Sequence, residues 1–578
     1  MKILLVALNA RYSHSNPAVF ILKNNLQGVQ ATVKEFNINQ SLEYILGEVY
    51  RAHAQVVGIS CYIWNRREAL TLANELKKVA PKSTIVLGGP EVTYTAPEVL
   101  ANNPGVDFVL PGEGELTLPL FLAHLESKDW AQVPGLVYRT ANGTISTTPT
   151  QLALNQPDLE QLTCPYTPED LEQLQGKIVY YESSRGCPFR CGYCLSSAGQ
   201  RLRFLPLERV KTELLQLVKS GVSLVKFVDR TFNCHRQRAL AIWSFLIEET
   251  PPEAHFHFEI AADLLDDAAL DLLAQAPPGK FQFEIGVQST NPKVLAAIGR
   301  PDQTTAIAKN VRQLAELGNI HLHLDLIAGL PLETWASFTQ SFDTVYQMQP
   351  HRIQLGFLKV LPGTAVAANA SKWGLKHLTA VPYGILETPD LTYSQLWQLK
   401  RIEELVEIYG NTQRFSHTIN YLVTTVYQES AFHFYQDFAE YWVATGLYQR
   451  QHKSTAYYDL LYQYLRQQGW ATAPILNRLK LDFALFEPYA DLPPWMPQLE
   501  RAESRSFHHS LAQNQLFLQE MLPHLANAKG REIIKTTRLI QIRRANKKIW
   551  LLIDYSQRNP VTNHPKLIAI PPALLKNI

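Results

Sequence analysis

Long apolar runs are missing from this 578-residue sequence. None approaches the roughly 18 uncharged residues a membrane span requires, so no spanning helix is expected. A dominant charge is missing too. Lys and Arg number 54 against 52 Asp and Glu, a net charge of +2. That gives no global electrostatic reason to bind nucleic acid or a membrane surface. Nor does the start read as a signal peptide, because apolar Met1–Leu8 soon meets Asn9, Arg11 and His14, as a buried strand would. Cysteine is scarce, with six residues in all, three of them between positions 187 and 194. Such usage argues against a disulfide framework and suits a reducing cytoplasm. The length leaves room for three or four domains.

What is there centres on Ser184-Arg185-Gly186-Cys187-Pro188-Phe189-Arg190-Cys191-Gly192-Tyr193-Cys194, which follows the apolar run Ile178–Tyr181. The spacing C-x3-C-x2-C on a short loop after a strand turns three thiolates toward one metal centre. A [4Fe–4S] cluster normally takes four cysteines, so three leave one iron open to a small molecule. A structural zinc site would want four closed N/S ligands, and neither Cys164 nor Cys234 has a paired spacing. Cys187, Cys191 and Cys194 are therefore the candidate cluster ligands.

Here the chain resembles the radical S-adenosylmethionine (SAM) superfamily, whose hallmark is C-x3-C-x-aromatic-C, with Tyr193 in the aromatic slot. The resemblance implies that SAM chelates the open iron and that the reduced cluster cleaves it to a 5′-deoxyadenosyl radical. It also implies a one-electron donor such as a flavodoxin or ferredoxin.

Residues 1–145 read as a doubly wound α/β domain. Short runs, mostly β-branched or apolar, at 2–8, 33–38, 56–61, 84–87 and 106–110 are separated, for the first four, by helix-compatible segments at 17–26, 41–51 and 66–79. That alternation implies parallel strands with right-handed crossovers and a ligand site at their carboxyl ends. Ser60, Gly88-Gly89 and Gly112-Glu113-Gly114-Glu115 fall at those ends. The set resembles the cobalamin-binding domain fused to many radical SAM enzymes, which implies that Ser60, Gly88, Gly89 and Glu113 contact cobalamin. The D-x-H-x-x-G cobalt-ligand motif is absent. His14 is a candidate for the lower ligand, beside the plainer reading of a solvated loop histidine. Cys61 reads as a small core residue. Asn142-Gly143 marks a hairpin turn, and 146–176, rich in Pro, Gln and Asp, reads as a linker.

Residues 177–365 repeat strand and helix six times, matching the partial (β/α)6 barrel of the radical SAM fold. Along the third to fifth strands, His255, His257 and Glu259, then Gln282, Glu284, Gly286 and Gln288, then His321, His323 and Asp325 alternate with Phe, Ile, Val or Leu. Side chains two apart share a face, so the polar faces would line the lumen. Burying that many polar groups is unfavourable unless something pairs with them, which points to a binding site. His321, His323 and Asp325, stacked along one strand, converge poorly on a single ion. Glu284–Ser289, Ile298-Gly299-Arg300 and Asp325–Thr334 resemble further radical SAM segments, which implies that Gln288, Ser289 and Asp325 hold SAM. Glu259 joins them from the third strand. The usual G-G-E triplet is replaced by Phe227-Val228-Asp229-Arg230-Thr231, leaving Asp229 as the candidate acceptor for the SAM amino group.

Residues 366–578 read as mainly helical, with aromatics at core spacing and a basic hairpin around Arg544–Lys547. Its cations read as solvated, and nucleic acid is not expected as a partner. The domain order resembles a subgroup with an uncharacterised C-terminal domain. The leading reading is a cobalamin-dependent radical SAM enzyme performing methyl transfer or a rearrangement or cyclisation on a substrate, small molecule or other, that the sequence does not name; a radical SAM enzyme without cobalamin is the alternative. A methylthiotransferase would carry a second cysteine triad near the N-terminus, and only Cys61 is there. An iron–sulfur redox sensor is the non-enzymatic alternative.

Overall fold

The computed structural model describes residues 1–149, 156–198, 201–488, 490–496, 501–544 and 547–571. The chain divides into two compact units. The first comprises 1–317, 327–334 and 356–393, and the second 318–326, 335–355 and 394–578.

The first unit opens with a seven-stranded sheet: β1 (Lys2–Asn9), β2 (Gln30–Asn37), β3 (Val56–Ser60), β4 (Thr84–Gly88), β5 (Phe108–Leu110), β6 (Val137–Arg139) and β7 (Ile145–Thr147), in the order β2-β1-β3-β4-β5-β6-β7. β1 to β5 run parallel, and β6 and β7 add antiparallel at one edge. β1 is interior because Ile3 to Leu8 are apolar without a break and all buried, the pattern of a strand covered on both faces. The crossover helix Arg66–Val79 turns Ala69, Leu72, Ala73 and Leu76 inward, one stripe at helical spacing. Leu72 is fully buried, and Leu72→Ala would cost roughly 2–5 kcal/mol.

Of the segment expected as a linker, residues 150–155 lie outside the described residues, and the rest is built into this unit. Its helix Pro168–Gln173 starts on a Thr167–Asp170 capping box, Asp170 pairs with Lys23 at 2.5 Å, and buried Tyr166 donates to the Tyr180 carbonyl.

The barrel strands follow: β8 (Val179–Tyr181), a two-stranded ribbon of β9 (Ser184–Arg185) and β10 (Arg203–Phe204), then β11 (Leu224–Phe227), β12 (His255–Ile260), β13 (Phe281–Gln288), β14 (His321–Ala328) and β15 (Arg352–Phe357). The six-stranded sheet has the order β8-β11-β12-β13-β14-β15, with β8, β11, β12 and β13 parallel. The carboxyl ends of β14 and β15 belong to the first unit and their starts to the second. Phe227, Phe256, Phe258, Phe281 and Phe283 are buried, and Trp243 of the helix Arg236–Glu249 packs on Phe258 and Phe283. The apolar faces therefore pack outward. A small hairpin, β16 (Lys376–His377) with β17 (Ile385–Glu387), extends this unit past residue 365.

In the second unit the helices Ser416–Thr425, Ala431–Ala444, Ala456–Gln467 and Ala473–Phe486 gather around Phe415, Phe438, Trp442, Tyr458 and Tyr464, all fully buried. The aromatics are core. A three-stranded antiparallel sheet, β18 (Thr537–Arg544), β19 (Lys547–Arg558) and β20 (Pro565–Ala569), closes the unit. The third strand departs from the mainly helical expectation. Ala545 and Asn546, in the expected basic turn, lie outside the described residues. Among the described residues no helix is long and apolar enough to cross a membrane.

Candidate active site

The cysteine loop leaves β8 through the ribbon strand β9. Gly186 has φ +95, and a Cβ there would lie 2.7 Å from the Arg201 carbonyl oxygen, so only glycine makes this turn. The loop is clamped by two backbone bonds, Gly192 N–H to the Ile298 carbonyl and Val366 N–H to the Gly192 carbonyl, each 2.8 Å. Gly299 closes over it, where a Cβ would meet the Arg190 carbonyl at 2.9 Å.

Cys191 is buried, and burial pushes its thiol pKa up against the pull of the Arg300 guanidinium, whose Nη1 lies 3.5 Å from Cys191 Sγ. Neighbouring Cys194 and Cys187 push in the same direction as burial. Thr231 Oγ1 lies 3.5 Å from Cys187 Sγ. Tyr193 is half-buried beside Arg300, Cys191 and Cys194, and burial raises its pKa. Among the described residues no three His, Cys, Asp or Glu side chains converge on a single ion. A cubane differs, since its ligands spread around the cube instead of meeting at one point. Cys187 and Cys194 both act electrostatically on Cys191, and three cysteines spread along one loop are the kind of ligand set a [4Fe–4S] cluster takes.

Asp229 is fully buried. It accepts from Ser183 N at 2.7 Å, Ser183 Oγ at 2.7 Å and Ser184 Oγ at 2.6 Å, and burial raises its pKa to about 6. The structure thus gives it a bracing task under the turn into the cysteine loop. Ser289 Oγ donates to Glu333 at 2.6 Å, which ties the fourth strand end to the Leu330–Thr334 segment. Gln288 has φ +71, and its amide folds back over Gly286, where a Cβ would lie 2.3 Å from Nε2. In the second unit, His323 Nε2 lies 3.3 Å from Asp325 Oδ1.

The lumen is layered by strand register. Tyr180, Lys226, His257 and Gln282 lie in one row, and Glu259 pairs with Glu284 in the next. Glu284 accepts from Lys226 at 3.2 Å and meets His257 Nε2 at 2.9 Å. Burial lowers the His257 pKa, with Glu284 opposing. Glu259 faces Arg230 at 3.7 Å, and burial raises its pKa. Lys226 and Arg230 had not been singled out from the sequence. Lys226 sits on the lumen side of the β11 alternation, the one signal that was available.

In the N-terminal domain Gly89 has φ +111, and a Cβ there would strike the Cys61 carbonyl oxygen at 2.5 Å. Ser60 Oγ is met by Asn16 Nδ2 at 3.3 Å, and Gly88 ends β4 beside Leu110. Cys61 is fully buried, its pKa pushed up to about 12 by burial. Glu113 is engaged with two arginines: Arg185 Nη1 at 2.8 Å and Arg203 at 2.5 and 3.0 Å. Glu115 accepts from Arg185 at 2.8 Å. His14 is occupied as well, with Nδ1 2.5 Å from the Tyr180 hydroxyl. The domain's closing motif is therefore bonded to the residue two before Cys187.

Comparison with known proteins agrees with this geometry. Residues 181–345 match the radical SAM superfamily, 3–122 the B12 binding domain, and 371–556 a protein family of unknown function, DUF4080. An uncharacterized methyltransferase, PH0819 of Pyrococcus horikoshii, is 26% identical over 362 residues, 60% of this chain and 77% of that protein. The cobalamin-dependent radical SAM methyltransferase TokK of Streptomyces tokunonensis is 27% identical over 332 residues, 53% of this chain and 47% of that protein. The match thus spans about half of TokK. Among solved structures, TsrM from Kitasatospora setae with cobalamin and a [4Fe-4S] cluster bound aligns with TM-score 0.56 at 18% identity, covering 68% of this chain and 82% of that one. OxsB with aqua-cobalamin bound aligns with TM-score 0.58 at 14% identity, covering 83% and 79%. These two likenesses are of fold. Residues 181–345 thus form a radical SAM superfamily domain, and a B12 binding domain precedes it in the chain.

Proposed function

We propose that this protein is a cobalamin-dependent radical SAM methyltransferase acting on a small polar molecule in the barrel lumen, in the cytoplasm, with a flavodoxin or ferredoxin as electron donor. The observation that carries the reading is the Glu113–Arg185 contact, which joins the B12-domain strand ends to the entrance of the cysteine loop within one compact unit. Cys187, Cys191 and Cys194 would hold the cluster. Ser60, Gly88 and Gly89 stand at the strand ends where a corrin would be received. When bound, the cluster supplies the electron that cleaves SAM, and cobalamin carries the methyl group.

The chain's own residues then orient and exclude. Arg300 offers its guanidinium to the Cys191 sulfur, favouring the thiolate. Tyr193, Glu259, Gln288 and Ser289 are proposed to hold SAM. Glu284 gathers Lys226 and His257 into a charged row that a polar substrate can engage, and its fixed geometry limits the reorganisation needed on binding.

The test is anaerobic reconstitution with iron, sulfide and hydroxocobalamin, followed by desalting and a visible spectrum. Stoichiometric corrin is expected, with 5′-deoxyadenosine formed from SAM on reduction and no cleavage in Cys191→Ala. Absence of corrin, or cleavage persisting in Cys191→Ala, overturns the reading.

A further inference from the structure

We propose that the second unit holds its own small-molecule site, a cavity of about 510 Å³ that takes an uncharged, flat, hydrogen-bonding ring. Its volume lies within the range of ligand pockets, roughly 300–1,000 Å³.

The wall is built from an irregularity. The helix Tyr393–Leu405 runs on into a π turn, Val406–Asn411, a feature that recurs at functional sites. The turn places Gly410 where a Cβ would lie 2.7 Å from the Tyr435 hydroxyl, so glycine leaves that hydroxyl its place. Asn411 then grips the start of β15, accepting from Ile353 N and donating to the Ile353 carbonyl, both at 2.9 Å. Gln413 donates to the His351 carbonyl at 2.6 Å. Three non-glycine residues lining the cavity have positive φ: Gln349 at 57°, Gln413 at 59° and Glu429 at 70°. Backbone strain of this kind persists where the surroundings enforce it, commonly at ligand sites.

The lining sets the ligand chemistry. Phe342, Tyr409 and Tyr435 form a buried aromatic floor. The Tyr435 residue is 1% exposed, and its hydroxyl has no hydrogen-bond partner among the described residues, which leaves a polar atom for a guest to meet. Among the described residues, neither Lys nor Arg lines the cavity. His351 accepts from Leu322 N at Nδ1, 3.0 Å away, and burial lowers its pKa, so it supplies no cation. An anion therefore finds no counter-charge and meets Glu429 at the rim, whereas a neutral ring can lie on the aromatic floor with its polar edge toward Tyr435.

Nicotinamide and nicotinate form a matched pair of probes, alike in shape and different in charge. Titration calorimetry on the full chain should show nicotinamide binding, with nicotinate weaker by about tenfold or more. Thr424→Trp, on the exposed mouth, should abolish nicotinamide binding while leaving the circular dichroism melt unchanged. Tyr435→Phe should weaken it without blocking the cavity. Cys191→Ala should leave it intact, which separates this site from the barrel reading. No heat from nicotinamide, equal binding of both probes, or binding undiminished in Thr424→Trp overturns the proposal.

Discussion

At Asp229 a fully buried carboxylate is held by a backbone amide and two serine hydroxyls. Burial favours its neutral form and the three donors favour the anion; burial is the larger effect, so the pKa rises to about 6. Asp229→Ala leaves Ser183 N–H and both hydroxyls without their acceptor, and each buried orphan costs about 1–3 kcal/mol. Because Ser184 lies three residues before Cys187, we expect the variant to melt earlier and to retain less iron after reconstitution. Asp229→Asn keeps the shape and one acceptor, so it should fall between. Iron per chain and the melting midpoint check this together; undiminished iron in Asp229→Ala would sink the bracing role.

Among the elements, the helix Ser416–Thr425 depends on a carboxylate borrowed from another helix. Asp482 accepts from His417 N at 3.2 Å, from Thr418 N at 2.9 Å and from Thr418 Oγ1 at 2.6 Å. The positive end of the helix dipole favours the anion, yet complete burial raises the Asp482 pKa to about 7. The folded state therefore holds this proton more tightly than the unfolded chain, whose aspartates titrate near 3.9. By linkage, the Asp482 contribution is fully present below about pH 4 and is lost as pH rises through about 7. Melting midpoints of Asp482→Asn should decline less between pH 5 and 8 than those of the unaltered protein. Parallel declines would show that this group does not govern the slope.

The same elements show what a sequence can carry. Alternation in β12 and β13 was legible because every second residue is aromatic or aliphatic, and the cysteine spacing declared its own chemistry. The π turn was hidden, since a single extra residue in a helical ladder leaves composition unchanged. β20 is five residues between polar turns, too short for periodicity to mark. The partners of Glu113 lie 72 and 90 residues further along the chain, and no local pattern names them.

On the scale of the whole first unit, that glutamate is where the B12 binding domain and the cysteine loop meet. Arg203 is 5% exposed, and its guanidinium is shared between Glu113 and the Pro157 carbonyl. Arg185 spreads its charge over Glu113, Glu115 and Glu182. A buried network of this kind adds little over an apolar replacement, but removing one partner strands a charge, at about 3–5 kcal/mol. Glu113→Ala should therefore lower the urea midpoint sharply and reduce corrin retention and iron content together, since one residue serves both sides. Replacing Arg203 as well removes part of the stranded charge, so Glu113→Ala with Arg203→Met should be less unstable than the sum of the single variants, by about 1–3 kcal/mol of coupling. Burial shields the network from counter-ions, so raising salt should scarcely reproduce the effect. If the two substitutions add, or if corrin and iron respond separately, Glu113 is a local ion pair and the two cofactor sites are positioned by other contacts.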